Sequence, residues 1–188
     1  MDRLRHKGST TLRTERMILR AFTLRDDWAM YENWASDPEV ARYMRGKAHS
    51  SVVITRQVLE SWCYHGRKKS YHWAMVPNGW KQPIGSISFV TFDEAKQEAE
   101  VGYTLSRRFW GKGLASEALS AILEFGTREI GFRSFYAQLF EENIRSVRVL
   151  EKCGFSFSAR FANAITRNDG TSGTVLVYRK CCSEDAER

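Results

Sequence analysis

A mixed α+β domain with a mainly antiparallel sheet is the fold class that this sequence predicts. Three features of the chain lead to it. More segments show the alternating apolar pattern of strands than show helical spacing. Successive strand segments in the middle of the chain are joined by polar or glycine-containing turns, as antiparallel neighbours are. Strands and helices then alternate, which adds one or two parallel crossovers.

The composition supports one folded domain. The chain of 188 residues is 43% hydrophobic and 13% aromatic, which suffices for a sizeable core. We therefore expect a single domain over residues 1–180 and a frayed tail over 181–188. No run of 18 apolar residues is present, and the N-terminus lacks the apolar stretch of a secretory signal. We expect no membrane span and a cytoplasmic location.

The charge balance and the cysteines restrict the choice of partners. A net charge of +7 favours anionic partners such as nucleic acid, the ribosome or a polyphosphate cofactor. The four cysteines include no spaced C-x-x-C pair and do not lie with histidines at metal-ligand spacing. We expect free thiols in a reducing compartment and no metal site.

Cap residues mark the helices of the first third of the chain. Thr23, with Asp26 three residues later, has the spacing of a capping box. Asp37 followed by Pro38 is typical of a helix start, because proline suits the first helical position. The predicted elements are a strand over 17–22, a short helix after Thr23, a second from Asp37 that continues through Tyr43 and Met44, and a third helix over 51–67.

Alternation and turn residues define the rest of the chain. Val101, Tyr103 and Leu105 alternate as in a strand, and from Leu114 apolar residues recur at steps of three and four until Gly131. The predicted elements are strands over 71–76, 83–91 and 98–105, a helix from 114 to about 130, a strand over 135–140, a helix over 143–152, and strands over 155–161 and 174–178 around a turn at 168–170.

The basic stretch from Arg107 to Gly113 joins a strand to the longest helix after it. The first N–H groups of a helix lack internal partners and carry the positive end of the helix dipole, so they bind anions. Gly111 and Gly113 have no Cβ and let a ligand approach the backbone. The stretch predicts a phosphate or pyrophosphate site, with a tight strand–helix connection as the plain alternative. It fits neither the Rossmann fingerprint nor the P-loop pattern.

The hexapeptide Arg108-Phe109-Trp110-Gly111-Lys112-Gly113 resembles the [R/Q]-x-x-G-x-[G/A] loop with which GNAT acetyltransferases bind the pyrophosphate of acetyl-CoA. Further segments at 12–20, 37–44, 99–103 and 142–155 resemble motifs of one branch, the Rim-type acetyltransferases of ribosomal-protein N-terminal amines. These motifs cover most of the chain and stand in the family's order. Together they are much more specific than the loop alone.

The resemblance implies a GNAT fold, in which a mostly antiparallel sheet of six to seven strands splays between its fourth and fifth strands. It implies acetyl transfer from acetyl-CoA to a primary amine by direct attack on the thioester. A protein N-terminal α-amine is the favoured acceptor, and a small amine is second. Homodimers are common among such proteins. The implied acetyl-CoA contacts are Tyr103, Thr104, Leu105, Arg108, Phe109, Trp110, Gly111, Lys112, Gly113 and Asn143.

Two residues are candidates for acid–base roles at the implied site. An alkyl amine has a pKa near ~10, so a base helps at neutral pH. Glu100 is our candidate, acting through water, and its alternative is a charge that pairs across the sheet. The Ser146 hydroxyl is the candidate donor to the leaving thiolate, although Asn143 and Ser146 also fit a helix cap with its partner. Branch members often carry an acidic residue near the last strand, but none lies between Gly170 and Lys180.

Acceptor recognition is expected from the N-terminal helices and the loop that follows them. The candidates are Trp28, Trp34, Tyr43 and His49, although aromatic residues at helical spacing more often belong to a core.

Two other functions remain open at this point. A non-catalytic acyl-CoA-binding or ribosome-associated module would keep the fold without turnover, and the missing C-terminal carboxylate and the basic surface favour it. A nucleic-acid-binding protein would show steeply salt-dependent binding to oligonucleotides. No nucleic-acid recognition motif in the sequence supports that third reading.

Overall fold

Eight strands in the described part of the chain form one sheet. The computed structural model describes residues 3–44, 46–64, 69–166 and 170–182. The strand order across the sheet is β1-β2-β3-β4-β5-β6-β8-β7. The strands are β1 (Leu12–Arg13), β2 (Met17–Ala21), β3 (His72–Pro77), β4 (Gly85–Asp93), β5 (Glu98–Leu105), β6 (Ser134–Phe140), β7 (Ser156–Thr166) and β8 (Ser172–Cys181).

The predicted fold class is confirmed. All neighbouring strands pair antiparallel except β5 and β6, which are parallel. The sheet has one strand more than the predicted six to seven, because the two-residue β1 pairs with β2. So short a segment shows no alternation from which the sequence alone could identify it.

Five α-helices flank the sheet in the described residues, and none of them is long and apolar enough to cross a membrane. A 3₁₀ turn (Leu24–Asp26) leads into α1, and π-helical turns continue α1 over Tyr31–Ala35 and α4 over Gly126–Ile130. The helices are α1 (Asp27–Met30), α2 (Pro38–Ala41), α3 (Val52–Tyr64), α4 (Leu114–Phe125) and α5 (Ile144–Lys152).

The helix α2 ends earlier than predicted. Asp37 caps it as expected, since its Oδ1 accepts a hydrogen bond from the Glu39 N–H at 2.9 Å. The N–H groups of Tyr43 and Met44 then bond to carbonyls three residues back, at 3.3 and 2.9 Å, which tightens the chain into a turn. The prediction that these two residues continue the helix is therefore wrong.

The two faces of the sheet carry separate cores. Strand β3 shows the division, because Trp73 and Ala74 point to opposite sides. Trp73 belongs to a large cluster with residues of α4 such as Leu119. Ala74 belongs to a smaller cluster with Phe22 and with Leu59 of α3. Helices α1 to α3 thus cover one face beside β2 and β3, and α4 covers the other.

The C-terminal strands differ in detail from the prediction. Phe157 and Phe161 are exposed, as β7 is the edge strand of the sheet and none of its described side chains is buried. Bulges also interrupt its pairing with β8. Strand β8 continues to Cys181, so the predicted tail begins later than expected. The predicted turn at 168–170 and the end of the tail fall mainly outside the described residues.

An ion pair ties β2 to the first helical segment. Both carboxylate oxygens of Asp26 accept hydrogen bonds from the Arg20 guanidinium, at 2.7 and 2.8 Å, and one also accepts from the Thr23 N–H at 2.9 Å. Burial alone would raise the pKa of the Asp26 carboxyl, but these donors together outweigh it and lower that pKa. The charged form is therefore favoured in the folded protein.

Replacing Asp26 with Asn is expected to destabilise the protein by about 2 kcal/mol at pH 7, since hydrogen bonds to a charged group are lost. Because the folded-state pKa of Asp26 is lowered, its contribution is present above the unfolded-state pKa and is lost as the pH falls through the folded-state pKa. Urea unfolding of both proteins from pH 7 to pH 3 should therefore show the difference shrinking at the acid end. Glu124→Gln, which breaks only an exposed pair with Arg128, should leave stability nearly unchanged.

Candidate functional site

A cleft opens where β5 and β6 stop pairing. Their parallel ladder runs from Glu98 opposite Ser134 to Glu100 opposite Tyr136. Strand β5 continues for five more residues and β6 for four, without further pairing between the two. These are the fourth and fifth of the predicted strands, since β1 was not predicted, so the predicted splay of the sheet is confirmed. The backbone edges that face the gap are left available to a ligand.

The cleft at the gap has a volume of about 650 Å³. Its walls come from the end of β5, the loop that follows, the first turns of α4 and α5, and the turn after α2. The sequence-predicted residues that line it are Tyr43, Tyr103, Thr104, Leu105, Phe109, Trp110, Gly111, Lys112, Gly113, Asn143 and Ser146.

Three contacts fix the loop between β5 and α4. The Ser106 N–H donates to the carbonyl of Ile84 at 2.8 Å. The indole N–H of Trp110 donates to the carbonyl of Leu105 at 2.7 Å. The Arg107 guanidinium pairs with Asp37 at 3.1 Å. The loop is therefore held against the end of its own strand and against the cap of α2.

The loop ends in a backbone arrangement that suits an anion. Gly111 and Gly113 have φ values of 74° and 77°, a region that side chains disfavour. The first backbone hydrogen bond of α4 runs from the Glu117 N–H to the Gly113 carbonyl at 3.1 Å. The N–H groups of residues 114–116 precede it and lie at the positive end of the helix dipole. Together these features form an anion cradle.

Arg16 braces this cradle from the N-terminal part of the chain. Its guanidinium donates to the Lys112 carbonyl at 2.9 Å and pairs with the Glu117 carboxylate at 2.6 Å. The sequence places Arg16 in a segment with a family-like pattern but gives no sign of this contact, because nearly a hundred residues separate the partners.

Tyr103 connects the floor of the cleft to α5. Its hydroxyl donates to the backbone carbonyl of Ser146 at 3.2 Å. Burial raises the pKa of Tyr103, so the phenol stays protonated at physiological pH. The Asn143 side chain caps α5 by accepting from the Ser146 N–H at 3.2 Å. The predicted cap is therefore present, and Asn143 lines the cleft at the same time.

The outer rim of the cleft is basic. Lys112 lies 5.2 Å from the Phe109 ring, and Arg145 lies 4.9 Å from the Trp110 ring. Arg148 and Lys152 complete the rim. Apart from Lys112, these cations were absent from the predicted site. The spacing of the three basic residues on α5 could have indicated that they line the cleft. Basic residues on one face of a helix, however, usually only face the solvent.

Glu100 lies at the closed end of the gap and not among the cleft-lining residues. It is only 6% exposed, and its Oε2 accepts a hydrogen bond from the Tyr136 hydroxyl at 3.5 Å. Burial first, and then the carboxylates of Glu100 and Glu98, raise the pKa of Tyr136. Glu98, on the same face of β5, pairs with Arg179. Arg108, a predicted contact, also lies outside the lining.

The four acceptor candidates are placed differently by the structure. Tyr43 lines the cleft. Trp34 is 1% exposed and packs with Phe22 in the smaller core, so its prediction as an acceptor contact is wrong. Trp28 is exposed and lies edge-on to Tyr31, outside the cleft lining. His49 also lies outside the lining, hydrogen-bonded to Thr55, and burial lowers its pKa.

Residues 16–156 match the family model described as Acetyltransferase (GNAT) domain. The chain belongs to the GNAT acetyltransferases. The matched region extends from the bracing arginine through the splayed strands and α5, so it contains the whole cleft. Among the described residues of this acetyltransferase, no group of three or more His, Cys, Asp or Glu side chains is placed to hold a metal ion.

Bacterial relatives share this assignment. The uncharacterised N-acetyltransferase p20 of Bacillus licheniformis is 31% identical over 148 residues, covering 77% of this chain and 82% of its own length. The uncharacterised N-acetyltransferase YoaA of Bacillus subtilis is 30% identical over 168 residues, covering 89% and 94%. The ribosomal-protein-serine acetyltransferase of Escherichia coli is 29% identical over 96 residues, which cover 51% and 54%.

Solved structures share the fold. A GNAT acetyltransferase from Bacillus anthracis superposes with a TM-score of 0.81 at 24% identity, covering 92% of this chain and 98% of that one. The ribosomal L7/L12 acetyltransferase RimL, in complex with coenzyme A, superposes with a TM-score of 0.82 at 18% identity, covering 92% of this chain and 98% of that one. The microcin C7 self-immunity acetyltransferase MccE, in complex with acetyl-CoA and AMP, superposes with a TM-score of 0.79 at 21% identity, covering 89% of this chain and 93% of that one.

Replacing Trp110 with Phe tests how the loop is held. The ring is largely kept, but the N–H donor to the Leu105 carbonyl is lost, so we expect a destabilisation of about 1–3 kcal/mol. Urea unfolding followed by circular dichroism measures it. Trp80→Phe, at an exposed tryptophan that packs on Phe109, should change stability by less than about 0.5 kcal/mol. Equal effects at both positions would contradict the anchoring role of the Trp110 indole.

Proposed function

We propose that this acetyltransferase moves an acetyl group from acetyl-CoA to a primary amine, by direct attack of the amine on the thioester. A protein N-terminal α-amine is the favoured acceptor, and a small amine is second. The observation that carries the proposal is the continuity of the cleft, which runs from the unpaired edge of β5 to the anion cradle at Gly113.

Acetyl-CoA suits the residues of the cleft. RimL is described in complex with coenzyme A and MccE in complex with acetyl-CoA. In this chain the cradle at Gly111–Gly113 offers backbone N–H groups to a pyrophosphate, and a Cβ on Gly113 would come within 3.5 Å of Arg16. Beyond Glu100, the unpaired edge of β5 offers backbone groups to the amides of a pantetheine arm, as in strand addition.

The thioester supplies the activated acetyl group, and the chain's own residues supply the rest. A backbone N–H at the gap, donated to the developing oxyanion, contributes typically ~3 kcal/mol of transition-state stabilisation. Tyr103 holds the first turn of α5 against β5, which sets the position of Ser146. We assign the Ser146 hydroxyl to protonation of the leaving thiolate, and Glu100 to removal of the ammonium proton through water.

The choice of acceptor is supported by relatives and not by a contact of this chain. The Escherichia coli relative carries the name ribosomal-protein-serine acetyltransferase, and RimL that of an α-N-protein acetyltransferase. The open end of the gap, beside Tyr43 and Thr104, is where an amine would enter. We propose the cytoplasm as the compartment, which the four free cysteine thiols support.

Transfer is tested by incubating the protein with acetyl-CoA and a panel of N-terminal peptides and small amines, followed by thiol release and by mass spectrometry of the acetylated product. Thiol release with a matching product is the expected outcome. Binding of acetyl-CoA without release for any acceptor would support instead a non-catalytic acyl-CoA-binding module.

Gly113→Ala is expected to weaken coenzyme A binding by about tenfold or more, because the side chain strains a left-handed backbone and occupies the cradle. Gly79→Ala is the matched control, since Gly79 has a similar φ of 80° in a distant turn with open space around it. Both variants should lose similar stability. Calorimetric titration should show an affinity loss only for Gly113→Ala, and an unchanged affinity there would refute the cradle.

Glu100→Gln is expected to lower kcat at pH 7 by about a hundredfold, the lower end of general-base contributions. The deficit should narrow as the pH rises towards 10, because a growing fraction of the amine is already neutral. Glu98→Gln, at the other carboxylate of the same strand face, is the matched control and should retain most of the activity. Equal pH profiles for wild type and Glu100→Gln would exclude Glu100 as the base.

A further inference from the structure

The charges around the cleft exceed what a pyrophosphate requires. Among the described residues that line it, four are cationic, and no aspartate or glutamate is present. They are Lys112 on the loop and Arg145, Arg148 and Lys152 on α5. A pyrophosphate diester carries about two negative charges, and α4 already offers it backbone N–H groups and the helix dipole.

The three cations on α5 share one face of that helix, because they are spaced by three and four residues. Arg145 is held over the Trp110 ring at 4.9 Å. Arg148 and Lys152 form no ion pair with any carboxylate in the described part of the chain. Like charges four residues apart repel, and within the described ranges no carboxylate pairs with this face to offset that repulsion.

The position of Lys152 relates this face to the anion cradle. A Cβ placed on Gly113 would lie 4.0 Å from the Lys152 ammonium and 3.5 Å from the Arg16 guanidinium. Arg16 is already paired with Glu117. Lys152 therefore stands beside the pyrophosphate position, and Arg148, one helical turn away, stands at the rim beyond it.

We infer that Arg148 and Lys152 form a second phosphate site, which binds the 3′-phosphate of coenzyme A and makes the enzyme select the 3′-phosphorylated cofactor. The inference rests on the proposed function. A phosphate monoester adds about −1.5 to −2 at pH 7 to the charge of the diester. The total then matches the four cations of the cleft. Arg148 presents a planar fork of donors suited to such an oxygen-rich group.

The test compares coenzyme A with 3′-dephospho-coenzyme A by calorimetric titration of the full chain. Wild type should bind coenzyme A about tenfold more tightly than the dephospho form. This affinity ratio should fall as the salt concentration rises, because salt screens the charges of the rim. Arg148→Gln and Lys152→Gln should each lower this affinity ratio several-fold, because they weaken the binding of coenzyme A and change the binding of the dephospho form little. Arg148→Lys should restore part of the ratio. Lys96→Gln removes an equal charge from an exposed hairpin and should leave both affinities unchanged.

The outcomes separate the inference from the proposed function. Equal affinities of wild type for the two ligands, or a ratio that Arg148→Gln and Lys152→Gln leave unchanged, would overturn the second phosphate site while acetyl-CoA binding stands. Failure of wild type to bind either ligand would overturn the proposed function and the inference with it. If Lys152→Gln lowered the affinity for both ligands equally, Lys152 would be assigned to the pyrophosphate, which would contradict its role at the 3′-phosphate.

Discussion

The end of the β5–β6 ladder at Glu100 and Tyr136 is the constraint on which the rest of the site depends. Two parallel strands that stay paired leave no room between them and no backbone group for a ligand. Because these strands diverge, the sheet exposes an edge in its own middle. The α4 crossover that joins them begins at the open end, so its N-terminal N–H groups face the same gap.

Hydrogen bonds hold both walls of the cleft, and its positive charge lies at the rim. On one side, the Trp110 indole and the Arg16 guanidinium fix a loop whose own glycines favour no single conformation. On the other side, Tyr103 and Asn143 fix the first turn of α5. The cations of Lys112, Arg145, Arg148 and Lys152 lie outside this framework, at the rim. The hydrogen bonds thus fix the backbone of both walls, and side chains at the rim add the positive charge.

Local patterns predicted the elements well where a single residue decides the backbone. Asp37 capped α2 as expected, and β5 has the predicted bounds. Prediction failed where packing between distant segments decides. Trp34 shares its aromatic character and helical setting with Trp28, yet only Trp34 is enclosed by Phe22 and its neighbours. No local pattern distinguishes two such tryptophans, because burial depends on what the rest of the chain places over them.

The sequence by itself determined the family, the glycine loop and the order of all helices and strands except the short β1, because these follow from residue types at short spacing. Only the tertiary structure decided which side chains meet in the cleft. In it, Arg16 contacts the loop and Lys152 lies beside Gly113. Glu100 lies at the closed end of the gap and not in the lining of the cleft. The physical reason is that strand divergence and helix packing set these distances, and both are properties of the assembled sheet.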